Sequence, residues 1–200
     1  MHLIAENKFF FGDGMKKFGF PLVMIFLLAC GSALAQSNEV GATFGGQFVS
    51  GTYDFGHSGV FEINPAHRIV NADAVGLYVE VPLTWSFKNA RTDPAATLHD
   101  HYSSFFFTPG LKLKVLPQLP VSPYGFVGVG LAHFHDTDTG QGSYENVIDY
   151  GAGVDWKLAP FISLRGELRD FNSGVPRMGF PNPGSRQQNV MATVGVAVHF

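Results

Sequence analysis

The chain ends in the stretch Asn189-Val-Met-Ala-Thr-Val-Gly-Val-Ala-Val-His-Phe200, in which apolar side chains recur at every second position. One face carries Val190, Ala192, Val194, Val196, Val198 and Phe200, and the other carries Asn189, Met191, Thr193, Gly195, Ala197 and His199. Successive side chains of a β-strand point to opposite faces, whereas a helix repeats about every 3.6 residues. The stretch therefore predicts a β-strand with one apolar face and one mixed face.

The same period of two continues upstream, and no stretch between residues 36 and 200 has a helical repeat. The segment 58–68 alternates least clearly, and without it the number of strands would be odd. An antiparallel barrel with both ends of the chain on one side needs an even number. The predicted strands cover residues 39–50, 58–68, 75–87, 102–115, 122–135, 146–157, 161–171 and 188–200.

Alternation alone would also suit a soluble, secreted β-sandwich, but three features favour a membrane. Only 14% of the residues are charged, whereas a soluble domain usually carries about a quarter. The apolar faces extend over about 10 residues, which is the length of a tilted strand that crosses a bilayer. Aromatic residues lie near predicted strand ends, where an interfacial belt would place them. These residues are Trp85, Phe87, Tyr124, Phe126, Trp156 and Phe200.

Because no unpaired strand edge can face hydrocarbon, the strands must close on themselves. We therefore predict an all-β fold, an eight-stranded antiparallel up-and-down transmembrane β-barrel over residues 36–200. Short connections at 116–121 and 158–160 would be turns on the periplasmic side. Longer connections rich in Asp, Asn, Gly, Pro and Thr, at 88–101, 136–145 and 172–187, would be outer loops.

Residues 1–35 have the three parts of a cleavable signal peptide. Two lysines precede the apolar run at 18–29, and a small-x-small cleavage site ends at Ala35. Met15 would begin a leader of more usual length. Two alternatives stay open: the same run could be a membrane anchor, and Cys30, the only cysteine, could be lipidated. The leader predicts export through the inner membrane, and cleavage at Ala35 would leave a chain that needs no disulfide.

The formal net charge of -3, the pI near 6.2 and the lack of any Lys/Arg cluster argue against a nucleic-acid partner. The predicted partner is instead the lipid of the membrane. We expect a monomer, and no residue pattern calls for a cofactor.

The alternating last strand, which closes on Phe200, resembles the C-terminal signal by which bacterial outer-membrane proteins are recognised for insertion. The segment Ser163-Leu-Arg-Gly-Glu-Leu-Arg-Asp-Phe171 looks like a motif of the penultimate strand in such proteins. With the leader and eight strands, the chain is similar to small OmpA/OmpX-like outer-membrane β-barrels. The resemblance implies an outer-membrane location and recognition by the barrel-assembly machinery through the strand that ends at Phe200. It leaves the function open, because such barrels have diverse roles.

The inward faces of the strands predict a polar cluster, because eight strands enclose a space that side chains can fill. With a turn at 158–160, Asp149 would pair with Arg169, while Gly151 and Gly153 would face Glu167 and Arg165. Buried charges need partners of opposite sign, so we interpret the cluster as a structural plug. The alternative is a narrow channel for small solutes or ions. The cluster consists of Glu62, Glu80, Lys112, Lys114, Asp149, Asp155, Arg165, Glu167 and Arg169.

Histidines near one end suggest a metal site as a second hypothesis. His133 and His135 share a strand face, and the predicted register places His101 opposite His135. Two histidines at this spacing could bind a metal, but no contiguous ligand motif is present. We therefore interpret all three as rim residues and predict no metal.

Some eight-stranded outer-membrane barrels are enzymes, and the lipid A deacylases among them carry a His-x-Ser-Asn segment before the last hairpin. Here Ser173 has Phe171 two positions before it instead of His, and Asn172 precedes the serine instead of following it. A serine nucleophile needs an adjacent base, and this segment supplies none. We therefore predict a non-enzymatic barrel with a structural or interaction role in the cell envelope.

Overall fold

The computed structural model describes residues 37–50, 57–90, 101–176 and 186–200. The predicted leader at 1–35, with Cys30, lies outside the described residues. Parts of the predicted outer loops, at 91–100 and 177–185, lie outside them as well. Among the residues that the structure describes, no helix has the length and hydropathy that a membrane crossing requires.

Ten antiparallel strands form the described part of the chain. More buried and more exposed side chains alternate along most of their length, as expected of a sheet with two unlike faces. The strands are β1 (Asn38–Ser50), β2 (His57–Ala72), β3 (Val75–Glu80), β4 (Leu83–Ala90), β5 (His101–Phe107), β6 (Gly110–Val115), β7 (Val121–Asp136), β8 (Gly142–Ala159), β9 (Ile162–Gly174) and β10 (Arg186–His199).

The strands close into a ring, because β1 pairs with both β2 and β10. Backbone hydrogen bonds between the first and last strands continue as far as Asn38 and Phe200. The N–H group of each of these residues donates to the carbonyl oxygen of the other over 2.9 Å. Antiparallel pairing places one set of strand ends together at one end of the barrel, called the loop end: Ser50, His57, Ala90, His101, Asp136, Gly142, Gly174 and Arg186. Both chain termini of the barrel and the short turns lie at the other, the turn end.

Two proline residues divide two of the eight predicted strands. The predicted strand 75–87 becomes β3 and β4, interrupted before Pro82, and 102–115 becomes β5 and β6, interrupted before Pro109. Proline has no N–H group for the ladder. The path of the chain continues nonetheless, because β2 pairs with both β3 and β4, and β7 pairs with both β5 and β6. The ten strands therefore make an eight-stranded ring, and the predicted fold class is confirmed.

The apolar faces point outward and the polar faces inward. Val194, Leu168 and Val129 expose 58%, 57% and 64% of their surface, whereas Arg165 and Asp149 are fully buried. An apolar exterior around a charged interior is the reverse of a soluble protein and is stable where lipid covers the outside.

One prediction about the aromatic belt is wrong. Trp85, Phe87 and Trp156 are exposed on the outside, but Tyr124 and Phe126 lie inside the barrel with only 4% and 5% of their surface exposed. The reason is their parity on β7: even-numbered positions of that strand face inward, together with Ser122. These two rings are therefore part of the interior and do not contact lipid.

The predicted registers of two hairpins are each wrong by two residues. Asp149 pairs with Phe171, while Gly151 and Gly153 pair with Arg169 and Glu167. The cause is the turn at 160–161 and a bulge between Lys157 and Ala159, which lengthen one strand relative to the other. Similarly, the residue opposite His135 is Ser103 and not His101. A slip of two residues keeps each side chain on its face, so the inward set is unchanged.

Close contacts between strands make one inward glycine a sensitive position. A Cβ atom at Gly130 would lie 1.8 Å from the carbonyl oxygen of Phe107, whereas a Cβ at Gly166 would meet no atom within 4 Å. We expect Gly130→Ala to lower the free energy of unfolding by about 1–3 kcal/mol, because backbone must move to admit the methyl group. Gly166→Ala should change it by less than about 0.5 kcal/mol.

Urea unfolding in phospholipid vesicles, followed by tryptophan fluorescence, measures both glycine variants. Equal stability of the two variants would contradict the tight approach of β7 to Phe107.

Candidate functional site

The interior of the barrel holds all nine charged residues that the sequence places in the lumen. None of them exposes more than 6% of its surface. Glu39 joins them with 1% exposed and contacts three of the four cations. These ten residues are called the lumen network, which contains six carboxylates and four cationic side chains.

The part of the network nearest the turn end is built around two carboxylates. Arg165 donates through Nε and Nη2 to Asp155 over 2.8 Å each, and through Nη2 to Glu39 over 2.6 Å. Lys114 Nζ bridges the same pair, at 2.7 Å from Glu39 and 2.6 Å from Asp155. Each of the two carboxylates is thus shared by Arg165 and Lys114. Such pairing is what permits charges to be buried.

Glu80 connects this group to a second one. Its two carboxylate oxygens accept from Lys112 and from Arg169. Lys112 also donates to Glu39, and Arg169 donates to Asp149 over 3.0 Å. One continuous set of ion pairs therefore crosses the lumen from β1 to β8.

Neutral donors serve the carboxylates that the cations do not fully satisfy. Glu62 accepts from Thr84 over 2.8 Å and from Asn64. Glu167 accepts from the Tyr124 hydroxyl over 2.7 Å, and Asn64 reaches it as well at 3.1 Å. Buried polar groups without partners are costly, so these neutral donors stabilise the network.

Small residues opposite the long side chains make the room for them. A Cβ atom at Gly41 would lie 2.6 Å from Arg165 Nη1, and one at Gly153 would lie 2.4 Å from the Tyr124 ring. The Arg165 guanidinium lies 5.1 Å from the centroid of that ring, within range of a cation–π interaction.

Sequence reasoning missed Glu39 and misplaced Tyr124. Glu39 is the second residue of β1, and its alternation with Thr43 and Gln47 on the inward face was the signal that could have identified it. For Tyr124, the inward serine two residues before it was the corresponding signal.

A second, apolar layer lies inside the barrel toward the loop end. The Phe106 ring packs against Phe171 at 4.8 Å and edge-on against Phe134 at 5.9 Å between ring centroids. All three rings are fully buried. The layer, called the aromatic cluster, consists of Val49, Val60, Tyr102, Phe106, Ala132, Phe134, Val147, Phe171 and Met191.

The three rim histidines do not converge on one point. His133 and His135 stack on the outer face of β7 with ring centroids 6.4 Å apart, and His133 also packs 4.4 Å from Tyr144. His101 instead contacts Asp138 in the 137–141 turn. Its backbone N–H donates to that carboxylate over 2.8 Å and lowers the pKa of Asp138.

One other group has the geometry of metal ligands or of a nucleophile and its base. Glu39, Asp155 and His199 present ligand atoms within 4.8 Å of one another. Ser163 Oγ lies 2.9 Å from His199 Nε2, and Glu39 lies 3.5 Å from Nδ1 of the same ring. Both carboxylates are already paired with Lys114 and Arg165, which disfavours a further cation there. The Ser163 side chain is fully buried, and the cavity that it lines with His199 has a volume of only about 30 Å³, which is room for about one water molecule.

Ser173, the serine that was compared with the deacylase motif, is buried as Ser163 is. This side chain is fully buried inside the barrel, where its hydroxyl accepts from Asn189 over 3.1 Å. It has no contact with the membrane surface, where a lipid would be.

Comparison with solved structures identifies the fold. Neisserial surface protein A (NspA) is 19% identical to this chain, matches 84% of it and 99% of its own length, and superposes with a TM-score of 0.60. The chain has the fold of a small outer-membrane β-barrel. The resemblance to OmpA/OmpX-like barrels is thereby confirmed for the fold, and the apolar exterior of this outer-membrane barrel agrees with the predicted location.

Two other outer-membrane barrels are similar at a TM-score of 0.51. Ail, the attachment invasion locus protein of Yersinia pestis in complex with the heparin analogue sucrose octasulfate, is 12% identical and matches 82% of this chain and 99% of its own. OprG from Pseudomonas aeruginosa is 12% identical and matches 83% and 96%. No protein-family model matches the chain, and a comparison with curated proteins finds no match.

Proposed function

We propose that this outer-membrane barrel does not conduct solutes and has a structural or interaction role in the cell envelope. The observation that carries the proposal is the presence of two different layers in series inside one narrow barrel. Solutes would have to pass the ion-paired lumen network and then the aromatic cluster. Charged solutes are disfavoured by the second layer, because an apolar constriction excludes water.

The ion pairs of the lumen network also support a plug that stays closed. Arg165 and Lys112 are fully buried, and each has more than one carboxylate partner. An ion would have to displace these partners to enter, and breaking a buried pair costs about 3–5 kcal/mol. This arrangement supports a plug more than the narrow channel that was the alternative.

Planar-bilayer recording tests the proposal. We expect the purified barrel to give no steady current steps, because neither layer leaves a continuous water path. Steps of uniform size whose conductance changes in Arg165→Ala or Glu167→Ala would overturn the proposal and support the channel. A general bacterial porin reconstituted in the same bilayers is the positive control for insertion and recording.

We further propose that the barrel is not an enzyme and that it functions as a monomer. The burial of Ser163 and Ser173 supports the first part. Closure of the ring by β1 and β10 within one chain supports the second, because the barrel needs no partner strand. The barrel-assembly machinery is the proposed partner during insertion, through β10 and Phe200.

An interaction role would fall to the loop-end connections. Ail was solved in complex with the heparin analogue sucrose octasulfate, and a sulfated ligand of that kind would need cationic side chains on this chain. The connections 51–56, 91–100 and 177–185 contain only Arg91 and Arg177 as basic residues apart from His99. The proposed interaction is therefore not with a sulfated polysaccharide.

A further inference from the structure

The small cavity beside Ser163 and His199 lies inside the barrel at the turn end. Its volume of about 30 Å³ is room for one water molecule or one monatomic ion of similar size. Pro117 and Pro160, which belong to the two neighbouring turns, are part of its lining, so the cavity lies close to the aqueous side of the membrane. The chemistry of the lining therefore decides what the cavity can hold.

Basic side chains outnumber acidic ones around this cavity. Arg68, Lys114 and Lys157 line it, whereas Asp155 is the one carboxylate among the described residues of the lining. Arg68 belongs to β2 and Lys157 to β8, which lie on opposite sides of the ring, and neither forms an ion pair with another described residue. Lys157 also lies near enough to Lys114 for their like charges to repel each other. A small space between charges of one sign favours an ion of the opposite sign.

The hydrogen bonds already present leave donors free but occupy the carboxylate. Both oxygens of Asp155 accept from Arg165, and one of them accepts from Lys114 as well. Lys114 donates to two carboxylates, and Lys157 donates to one carbonyl oxygen over 2.6 Å. Because an ammonium group has three donors, one donor remains on Lys114 and two remain on Lys157. The lining is therefore rich in free donors, which is what an anion requires.

We propose that this cavity binds one monatomic anion of the chloride class. The anion accepts from the free N–H groups of Lys114 and Lys157 and from the guanidinium of Arg68. A metal cation is disfavoured there, because it would meet three basic side chains and a carboxylate that is already paired. A water molecule would leave the charges of Arg68 and Lys157 without a counter-ion. Sulfate and phosphate carry four oxygens each and exceed the volume of the cavity.

Crystals of the folded barrel soaked in sodium bromide test the site directly. Bromide takes the place of chloride, and its anomalous scattering distinguishes it from water. We expect one anomalous peak inside the cavity, within hydrogen-bond distance of the Lys114 and Lys157 ammonium groups. A water molecule in the cavity, with bromide bound only elsewhere on the surface, would overturn the proposal.

Chlorine NMR of the barrel in detergent micelles tests the site in solution, because a bound ion broadens the chloride signal. Arg68→Gln and Lys157→Gln each remove one cation from the lining, at positions that are only half-buried, so both variants should fold. Each should weaken chloride binding about tenfold, as expected for the loss of one hydrogen bond to a charged group. Arg186→Gln removes an exposed arginine at the loop end and is the matched control, which should bind as the wild type does. Equal broadening in all three variants would contradict the site.

Competition with sulfate separates a cavity of defined size from a general attraction of anions to the basic turn end. At equal ionic strength we expect sulfate to leave the bound chloride in place, because sulfate does not fit the cavity. Displacement of chloride by sulfate would show general attraction only and would refute the site. The proposed absence of conduction is independent of this outcome, because it rests on the lumen network and the aromatic cluster.

Discussion

Replacing Arg165 with leucine is expected to lower the free energy of unfolding by about 3–5 kcal/mol, the usual cost of breaking a buried ion pair. Arg165 is fully buried and donates to both Glu39 and Asp155. Without the guanidinium, Lys114 is the one cationic side chain among the described residues that stays ion-paired with Asp155. Urea unfolding in phospholipid vesicles gives the change in stability, and heat-modifiable gel mobility reports whether the barrel has folded.

Two further variants show whether the loss comes from the ion pair. Arg186→Leu removes an exposed arginine at the loop end, and we expect its effect to stay below about 1 kcal/mol. Adding Asp155→Leu to Arg165→Leu removes one of the two carboxylates that lose Arg165 as a partner. The loss of unfolding free energy in the double variant should then be smaller than the sum of the losses in the two single variants, by about 0.5–3 kcal/mol. Strict additivity would mean that the two side chains do not interact.

Truncation of Phe106 to alanine is expected to lower the free energy of unfolding by about 3–5 kcal/mol. The ring is fully buried and packs against Phe134 and Phe171 inside the barrel, so its removal leaves a cavity. The same unfolding measurement applies.

The conservative change Phe106→Leu is the control for this prediction. It retains most of the apolar volume, so its cost should stay below about 1.5 kcal/mol. If alanine costs less than about 1 kcal/mol, water fills this level of the lumen and the aromatic cluster does not act as a second closing layer. That result would also weaken the proposed absence of conduction.

Which side chains point into the barrel and which point out of it could be predicted from the sequence with few errors, because alternation is a local property of a strand. The assignment of Glu80, Lys112 and Arg169 to the interior needed only their parity relative to apolar neighbours. Tyr124 and Phe126 were misassigned because an aromatic ring near a strand end suits both an interfacial belt and a packed interior. Only the parity of β7 distinguishes the two.

The pairing between strands could not be predicted in the same way. Register depends on turn geometry, and the bulge between Lys157 and Ala159 leaves no distinct mark in the sequence. The ion pairs of Arg165 depend on closure of the whole ring, since Glu39 lies 126 residues away in the chain.

The long sequence separation of the Arg165 and Glu39 contact also constrains how the protein reaches the membrane. An incompletely closed sheet would expose guanidinium and carboxylate groups to hydrocarbon without their counter-ions, at a cost of several kcal/mol for each ion. Partly closed sheets are therefore disfavoured in the bilayer core relative to the closed ring, in which the first and last strands are paired. The interior charges thus favour insertion of the barrel as a closed unit.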